Sequence, residues 1–159
     1  MKKNQKGFSL IELLIVVAII LIIAAIAIPN LLRSRMAANE ASAVGSLRTI
    51  NTACVTYSTN YQAVGMPASL DVLKPGTGGV AYSAAADLID EVLASKTKSG
   101  YTFVFTKDSA NTPAVLYSIV ANPVKGQVTG VSSFFTDQSA VIRKDPTGTT
   151  ATSASSPLQ

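Results

Sequence analysis

The chain contains no histidine, no tryptophan and a single cysteine, Cys54. An intrachain disulfide is therefore impossible. Histidine-based triads and the common histidine-containing metal sites are excluded as well. Ser–Lys and paired-carboxylate chemistry stays formally open, but no spacing of these residues supports it. No Asn-x-Ser/Thr acceptor occurs, aromatic residues number only ten, and charged residues make up 14% of the chain. The expectation is a non-enzymatic protein with no cofactor, no metal and no small-molecule substrate.

Charge of either sign is scarce, and its distribution matters more than the net value of +4. Three of the thirteen basic residues, Lys2, Lys3 and Lys6, lie in the first seven positions. The ten that remain face nine acidic ones, so the body is nearly neutral. A neutral body carries no clustered basic face for nucleic acid, although a DNA-binding role for the C-terminal part stays open. Lysines directly before an apolar run mark the cytoplasmic end of a membrane segment.

What the chain has in excess is one apolar run. Phe8 to Ile28 is 21 residues with a single charge, Glu12. As a helix it is about 31 Å long, enough to cross a hydrocarbon core. Three readings compete. An ordinary signal peptide gains some support from Ala25-Ile26-Ala27, a small-x-small cleavage pattern. A plain transmembrane anchor is the second. The third is a leader cut before the apolar run.

Glu12 favours the third. A carboxylate inside an apolar segment costs about 2.5–3.5 kcal/mol at mid-helix, so it needs a role. Cleavage between Gly7 and Phe8 creates an α-amino group four residues before Glu12. The Glu12 of a neighbouring copy and that amine neutralise each other in an apolar bundle. Breaking such a buried pair costs roughly 3–5 kcal/mol, which makes it a registry device for stacking copies.

The segment Lys6-Gly7-Phe8-Ser9-Leu10-Ile11-Glu12-Leu13-Leu14-Ile15-Val16-Val17-Ala18-Ile19, continuing through Ala27-Ile28-Pro29-Asn30, resembles the processing and methylation motif of type IV pilins and type II secretion pseudopilins. The resemblance covers about the first thirty residues. It implies cleavage after Gly7 by a prepilin peptidase, N-methylation of Phe8 by the same enzyme, and docking between subunits through Glu12 and Phe8. It also implies an α+β pilin fold, a long N-terminal helix packed on a four-stranded antiparallel head. The implied product is a helical homo-oligomeric filament at the cell surface, serving adhesion, motility or DNA uptake. The resemblance further implies that the subunit waits first in the inner membrane and that an assembly platform with an ATPase builds the filament. A short secretion pseudopilus is the alternative. The chain departs from the family in having no cysteine pair to close a C-terminal loop. It also lacks the tryptophan that accompanies the calcium site of major pseudopilins; Asp137 and Asp145 are present, but the pattern around them differs.

The reading divides the chain into a leader (1–7), an apolar helix (8–29), an amphipathic continuation (30–61), a head (62–146) and a tail (147–159). In the continuation, Leu47, Ile50, Cys54, Tyr57 and Tyr61 step by three and four, a stripe on one helical face. Arg33, Arg35, Glu40 and Arg48 fall elsewhere. Pro29 predicts a kink and Gly45 a soft spot. Cys54, on the stripe, is expected as a small buried hydrophobe.

In the head, Pro67, Pro75, Gly76, Gly78 and Gly79 punctuate a loop. Ala84–Ala94 is expected as a short amphipathic helix, with Leu88, Ile89, Val92 and Leu93 inward and Asp87, Asp90 and Glu91 on a solvated face. Strands are expected at 101–107, 115–121, 133–136 and 140–143, the last two joined by a turn at 137–139. Asn122-Pro123 and Lys125-Gly126 are expected to break the chain between strands. The uncharged, hydroxyl-rich tail is expected as a flexible or surface-lying end.

Overall fold

The computed structural model describes residues 8–76, 80–107 and 115–158. Its first element is a helix, α1, Leu10–Asn60. The apolar run has no glycine or proline before Pro29, so nothing in its backbone chemistry interrupts the ladder of hydrogen bonds. The helix continues through Pro29 and Gly45. At Pro29 it forgoes one bond, because proline has no N–H to donate to the carbonyl four residues back.

The chain divides into two units, one ending at Arg35 and the other comprising Met36–Gln159. In the first, nearly every side chain from Phe8 to Arg35 is exposed. The core belongs entirely to the second. There Ala43, Leu47, Ile50, Cys54 and Tyr57 form the buried face of α1. This is the expected stripe, with Tyr61 half-buried at its end.

A six-stranded antiparallel meander completes the core, in the order β1 (Thr97–Lys98), β2 (Tyr101–Lys107), β3 (Tyr117–Pro123), β4 (Ser133–Asp137), β5 (Arg143–Asp145) and β6 (Ser156–Pro157). Alternation assigns the faces. Tyr101 and Phe103, Tyr117, Ile119 and Ala121, and Phe134 point to α1 and are buried. The helix-on-sheet α+β architecture is as expected, with two additional short strands.

Three local expectations are corrected. The helix expected over 84–94 shrinks to one turn, α2 (Glu91–Ala94). The amides before it find partners outside the segment: Ala86 donates to Val72 O (2.8 Å), Asp87 to Lys74 O (2.9 Å) and Leu88 to Leu73 O (2.8 Å). Those acceptors lie within and at the end of a 3-10 turn at Leu70–Leu73, and Asp87 adopts a positive φ of 54°, which a helix excludes. Ile89 and Leu93 are buried and Leu88 packs on the core, but Val92 is 56% exposed.

Secondly, β3 starts two residues later than expected and runs through Asn122 and Pro123, which pair with Thr102 and Tyr101. Proline is tolerated here because it is the last residue of the strand. Thirdly, residues 140–142 are not a strand. The turn closes with Ala140 N donating to Asp137 O (2.9 Å), but Ala140 lies at φ 59°. The chain therefore leaves the sheet and rejoins it where Arg143 pairs with Phe135.

The tail lies on the surface, one of the two expected alternatives, and is tied down at several points. Ala151 is buried, and Ser133 Oγ donates to Thr149 O. Arg143 Nη1 reaches Ser155 O (3.2 Å), and Leu158 N donates to Ile142 O (2.7 Å) while its side chain packs on the core. Of the loop glycines, Gly78 and Gly79 lie outside the described residues.

Candidate functional site

Of the residues singled out in the sequence, Phe8 and Glu12 lie at or just before the start of α1, while Pro29 and Gly45 lie farther along it. Gly7 lies outside the described residues. Phe8 is 78% exposed, ahead of the first helical turn. Ser9 stands at the N-cap position and Glu12 three residues later. Ser9 N donates to Glu12 Oε2 (2.9 Å), while Glu12 N and Leu13 N donate to Ser9 O (3.1 and 3.3 Å). This is one half of a capping box, in which the third helical residue satisfies the otherwise orphaned amide of the cap.

Glu12 therefore has a role within its own chain that sequence reasoning missed, although the signal, Ser9-x-x-Glu12, was present. An amide satisfies one lone pair but does not neutralise the charge. Among the described residues Glu12 makes no ion pair. Its position also bears on its cost. Four residues of helix place it about 6 Å from the Phe8 end, at the margin of the apolar run rather than at its centre. The mid-helix penalty is an upper bound there.

From Leu10 to Leu32 the helix presents a nearly continuous surface of Leu, Ile and Val, and the most apolar stretch of α1 has no buried residue. It satisfies its own backbone, as a lipid environment demands. Such a surface serves equally for lipid tails or for identical helices beside it.

The remaining sites offer structural rather than chemical roles. Cys54 is fully buried, and burial pushes its thiol up to about 12, so it is a protonated packing group. Asp87, Asp90 and Glu91 are exposed. Asp90 caps α2 through Leu93 N (3.2 Å) and pairs with Lys98 Nζ (2.9 Å). Among the described residues no group of three or more acids or thiols is placed to hold a metal ion.

Two polar residues of α1 that were given no role join the helix to the sheet. Glu40 Oε1 accepts the amides of Val131 and Ser132 (3.0 Å each), and its Oε2 faces Lys144 Nζ (3.4 Å). Asn51, buried, donates to Thr136 Oγ1 (2.9 Å) and accepts from Tyr117 Oη (3.1 Å). Glu40 has no basic residue three or four positions away on its own helix, which was the one available hint of a tertiary partner.

Residues 2–28 match the family model of the prokaryotic N-terminal methylation motif. The type IV wide pilus major component PilA4 of Thermus thermophilus is 66% identical over 38 residues, covering 24% of this chain and 29% of that one. The type IV major fimbrial protein FimA of Dichelobacter nodosus is 35% identical over 131 residues, 70% of this chain and 78% of that one. The chain belongs to the type IV pilin family. A second Dichelobacter nodosus FimA sequence is 52% identical over 58 residues, 35% of this chain and 37% of that one. The chain thus spans less than a third of PilA4 and more than three quarters of one FimA. No solved structure matches it significantly. The family assignment agrees with the long helix and antiparallel head of this pilin, and with its exposed N-terminal apolar surface.

Proposed function

We propose that this pilin is the structural subunit of a type IV pilus filament, made as a membrane-anchored precursor. In this reading a prepilin peptidase cuts between Gly7 and Phe8 and methylates the new amine of Phe8. An assembly platform and its ATPase then draw the subunit from the inner membrane into the growing filament at the cell surface. The observation that carries the proposal is the helix from Leu10 to Leu32, apolar on nearly every face, with one uncompensated carboxylate near its start. Polymerisation gives those side chains identical partners. The Phe8 amine of one copy gives the Glu12 of the next a counter-charge.

Lipid tails are already as apolar as leucine, so moving the helix from bilayer to filament gains little from water exclusion. Packing and the carboxylate–amine pair supply the specificity. Pro29 and Gly45 are proposed as the points where the helix bends or locally unwinds during assembly. The names of the relatives, a wide-pilus component and major fimbrial proteins, favour a surface filament over a short secretion pseudopilus. Adhesion, twitching motility and DNA uptake are uses such a filament supports.

The capping geometry sharpens the test. Glu12→Gln keeps an oxygen for Ser9 N but removes the charge, whereas Glu12→Val removes both. Both variants, expressed in a piliated host lacking its own major pilin, are expected to be processed. Electron microscopy is expected to show filaments in neither. Normal filaments from Glu12→Gln would overturn the charge-pairing reading, and a mature N-terminus at Ile28 or Pro29 by mass spectrometry would overturn the prepilin reading altogether.

A further inference from the structure

The exported end of the apolar helix carries two cations, Arg33 and Arg35, that no described residue neutralises. Arg33 and Arg35 are exposed, and among the described residues neither forms a salt bridge or a side-chain hydrogen bond. Near a membrane segment, basic residues normally accumulate on the cytoplasmic side. Here Lys2, Lys3 and Lys6 satisfy that rule only until the leader is removed. In the mature chain the charged side chains flanking the span are both arginines, and both lie on the exported side. That inversion calls for a role.

Geometry supplies one. From Phe8 to Arg33 the helix rises about 38 Å, more than a hydrocarbon core of about 30 Å and less than the 40–45 Å that includes both headgroup layers. With the Phe8 amine among the headgroups of one leaflet, Arg33 stands among those of the other. Leu31 and Leu32, just before it, are exposed and apolar, and they close the hydrocarbon-facing stretch. Arg33 and Arg35 are two residues apart, so they project about 200° apart around the helix. One protein surface docked on one face cannot meet both. A headgroup layer surrounds the helix and meets both at once. Guanidinium is also the side chain best shaped for phosphate, which it grips with two parallel N–H donors.

We propose that Arg33 and Arg35 bind phospholipid headgroup phosphates of the exported leaflet, and so set the depth at which the mature subunit waits before assembly. The inference rests on the membrane-anchored reading above. Depth matters because it also places Glu12 about one turn below the opposite headgroup layer, where its carboxylate stays hydrated until a neighbour's amine replaces the water.

The test uses the full mature chain, from Phe8 onward, reconstituted in phosphatidylethanolamine–phosphatidylglycerol vesicles. Arginine is labelled with 13C at the guanidinium carbon, and proximity to lipid phosphorus is read by 13C–31P dipolar dephasing. The chain has four arginines: Arg33, Arg35, Arg48 and Arg143. About half of the arginine signal is expected to dephase in the wild type, and that part is expected to vanish in the Arg33→Gln/Arg35→Gln double variant. In the same variant a depth-sensitive probe at Ser34 is expected to sink inward by about one helical turn, roughly 5 Å. Arg33→Lys/Arg35→Lys is expected to restore the depth.

Co-flotation with the vesicles separates the two readings. A chain that fails to float overturns both. A chain that floats with no arginine dephasing, or with equal dephasing in the double variant, overturns the headgroup proposal alone. So does a double variant that keeps its depth but forms no filaments, which would assign the arginines to carboxylates of neighbouring copies.

Discussion

Glu40→Ala should be among the most damaging single changes in α1 outside the apolar core. In the wild type the Glu40 carboxylate accepts two backbone amides at 3.0 Å on one oxygen and faces Lys144 at 3.4 Å with the other. Hydrogen bonds to a charged acceptor contribute about 1.5–3 kcal/mol each, and removing the acceptor leaves Val131 N and Ser132 N to find water at a partly buried junction. Water recovers some of this, so Glu40→Ala is expected to cost roughly 2–4 kcal/mol. The lysine adds less than about 1 kcal/mol, because its ammonium is partly solvated. Glu40→Gln retains an acceptor oxygen and is expected to cost about 1–2 kcal/mol.

The pH dependence discriminates further. Burial pushes the Glu40 carboxyl upward, but the Ser132 and Val131 amides and Lys144 outweigh it, and its pKa lies below the ordinary carboxylate value. A group depressed in the folded state contributes stability above its ordinary pKa and loses it as the pH falls through the folded value. The gap between wild type and Glu40→Gln should therefore hold from neutral pH down to about pH 5 and close below it. The assay is urea unfolding of the full chain in detergent, followed by the fluorescence of the buried tyrosines, since there is no tryptophan. A Glu40→Ala cost under about 0.5 kcal/mol, within the range of an ordinary surface change, would refute the reasoning. A gap independent of pH would refute the electrostatic part alone.

Two glycines should respond in opposite directions to alanine. A Cβ at Gly45 meets open space on α1, so Gly45→Ala is expected to stabilise by about 0.5–1 kcal/mol. A Cβ at Gly130 collides with the Tyr101 ring and hydroxyl, which is fully buried and donates to Ser132 O, so Gly130→Ala is expected to destabilise by more than about 2 kcal/mol. Equal effects in urea melts would contradict both placements. At the C-terminus, Leu158→Ala is expected to cost roughly 1–2 kcal/mol, because the side chain packs on the core. A negligible change would mean that the last residues lie free of the head.

Much of the fold was legible because its largest features obey simple periods. The apolar run is long enough that no reading other than a helix satisfies its backbone in lipid. The stripe from Leu47 to Tyr61 repeats at helical spacing, and Tyr101–Lys107 alternates like a strand and is one. Segments went astray where backbone donors found partners elsewhere. The stretch at 84–90 has a helical pattern, yet its amides bond to residues 72–74. Residues 140–142 have strand-forming side chains, yet Ala140 turns left-handed and lets Ile142 drop into the core. The first depends on a segment distant in the chain, whereas the second is a local turn, closed by Ala140 N on Asp137 O, that the side-chain pattern does not reveal.

The same division runs through the candidate site. The amino-acid order alone determined the apolar span, the isolated Glu12 and the flanking charges, since each follows from residue type and spacing along the chain. Even the Ser9–Glu12 cap is local, and a closer reading of the motif would have found it. Only tertiary structure decided that Glu40 and Asn51 clasp the sheet, that the hydroxyl-rich tail returns as β6, and that Cys54 is sealed as a protonated thiol. Those outcomes depend on which groups meet when the chain closes on itself. A buried polar group takes whichever partner lies within about 3 Å, however far away it lies in the chain.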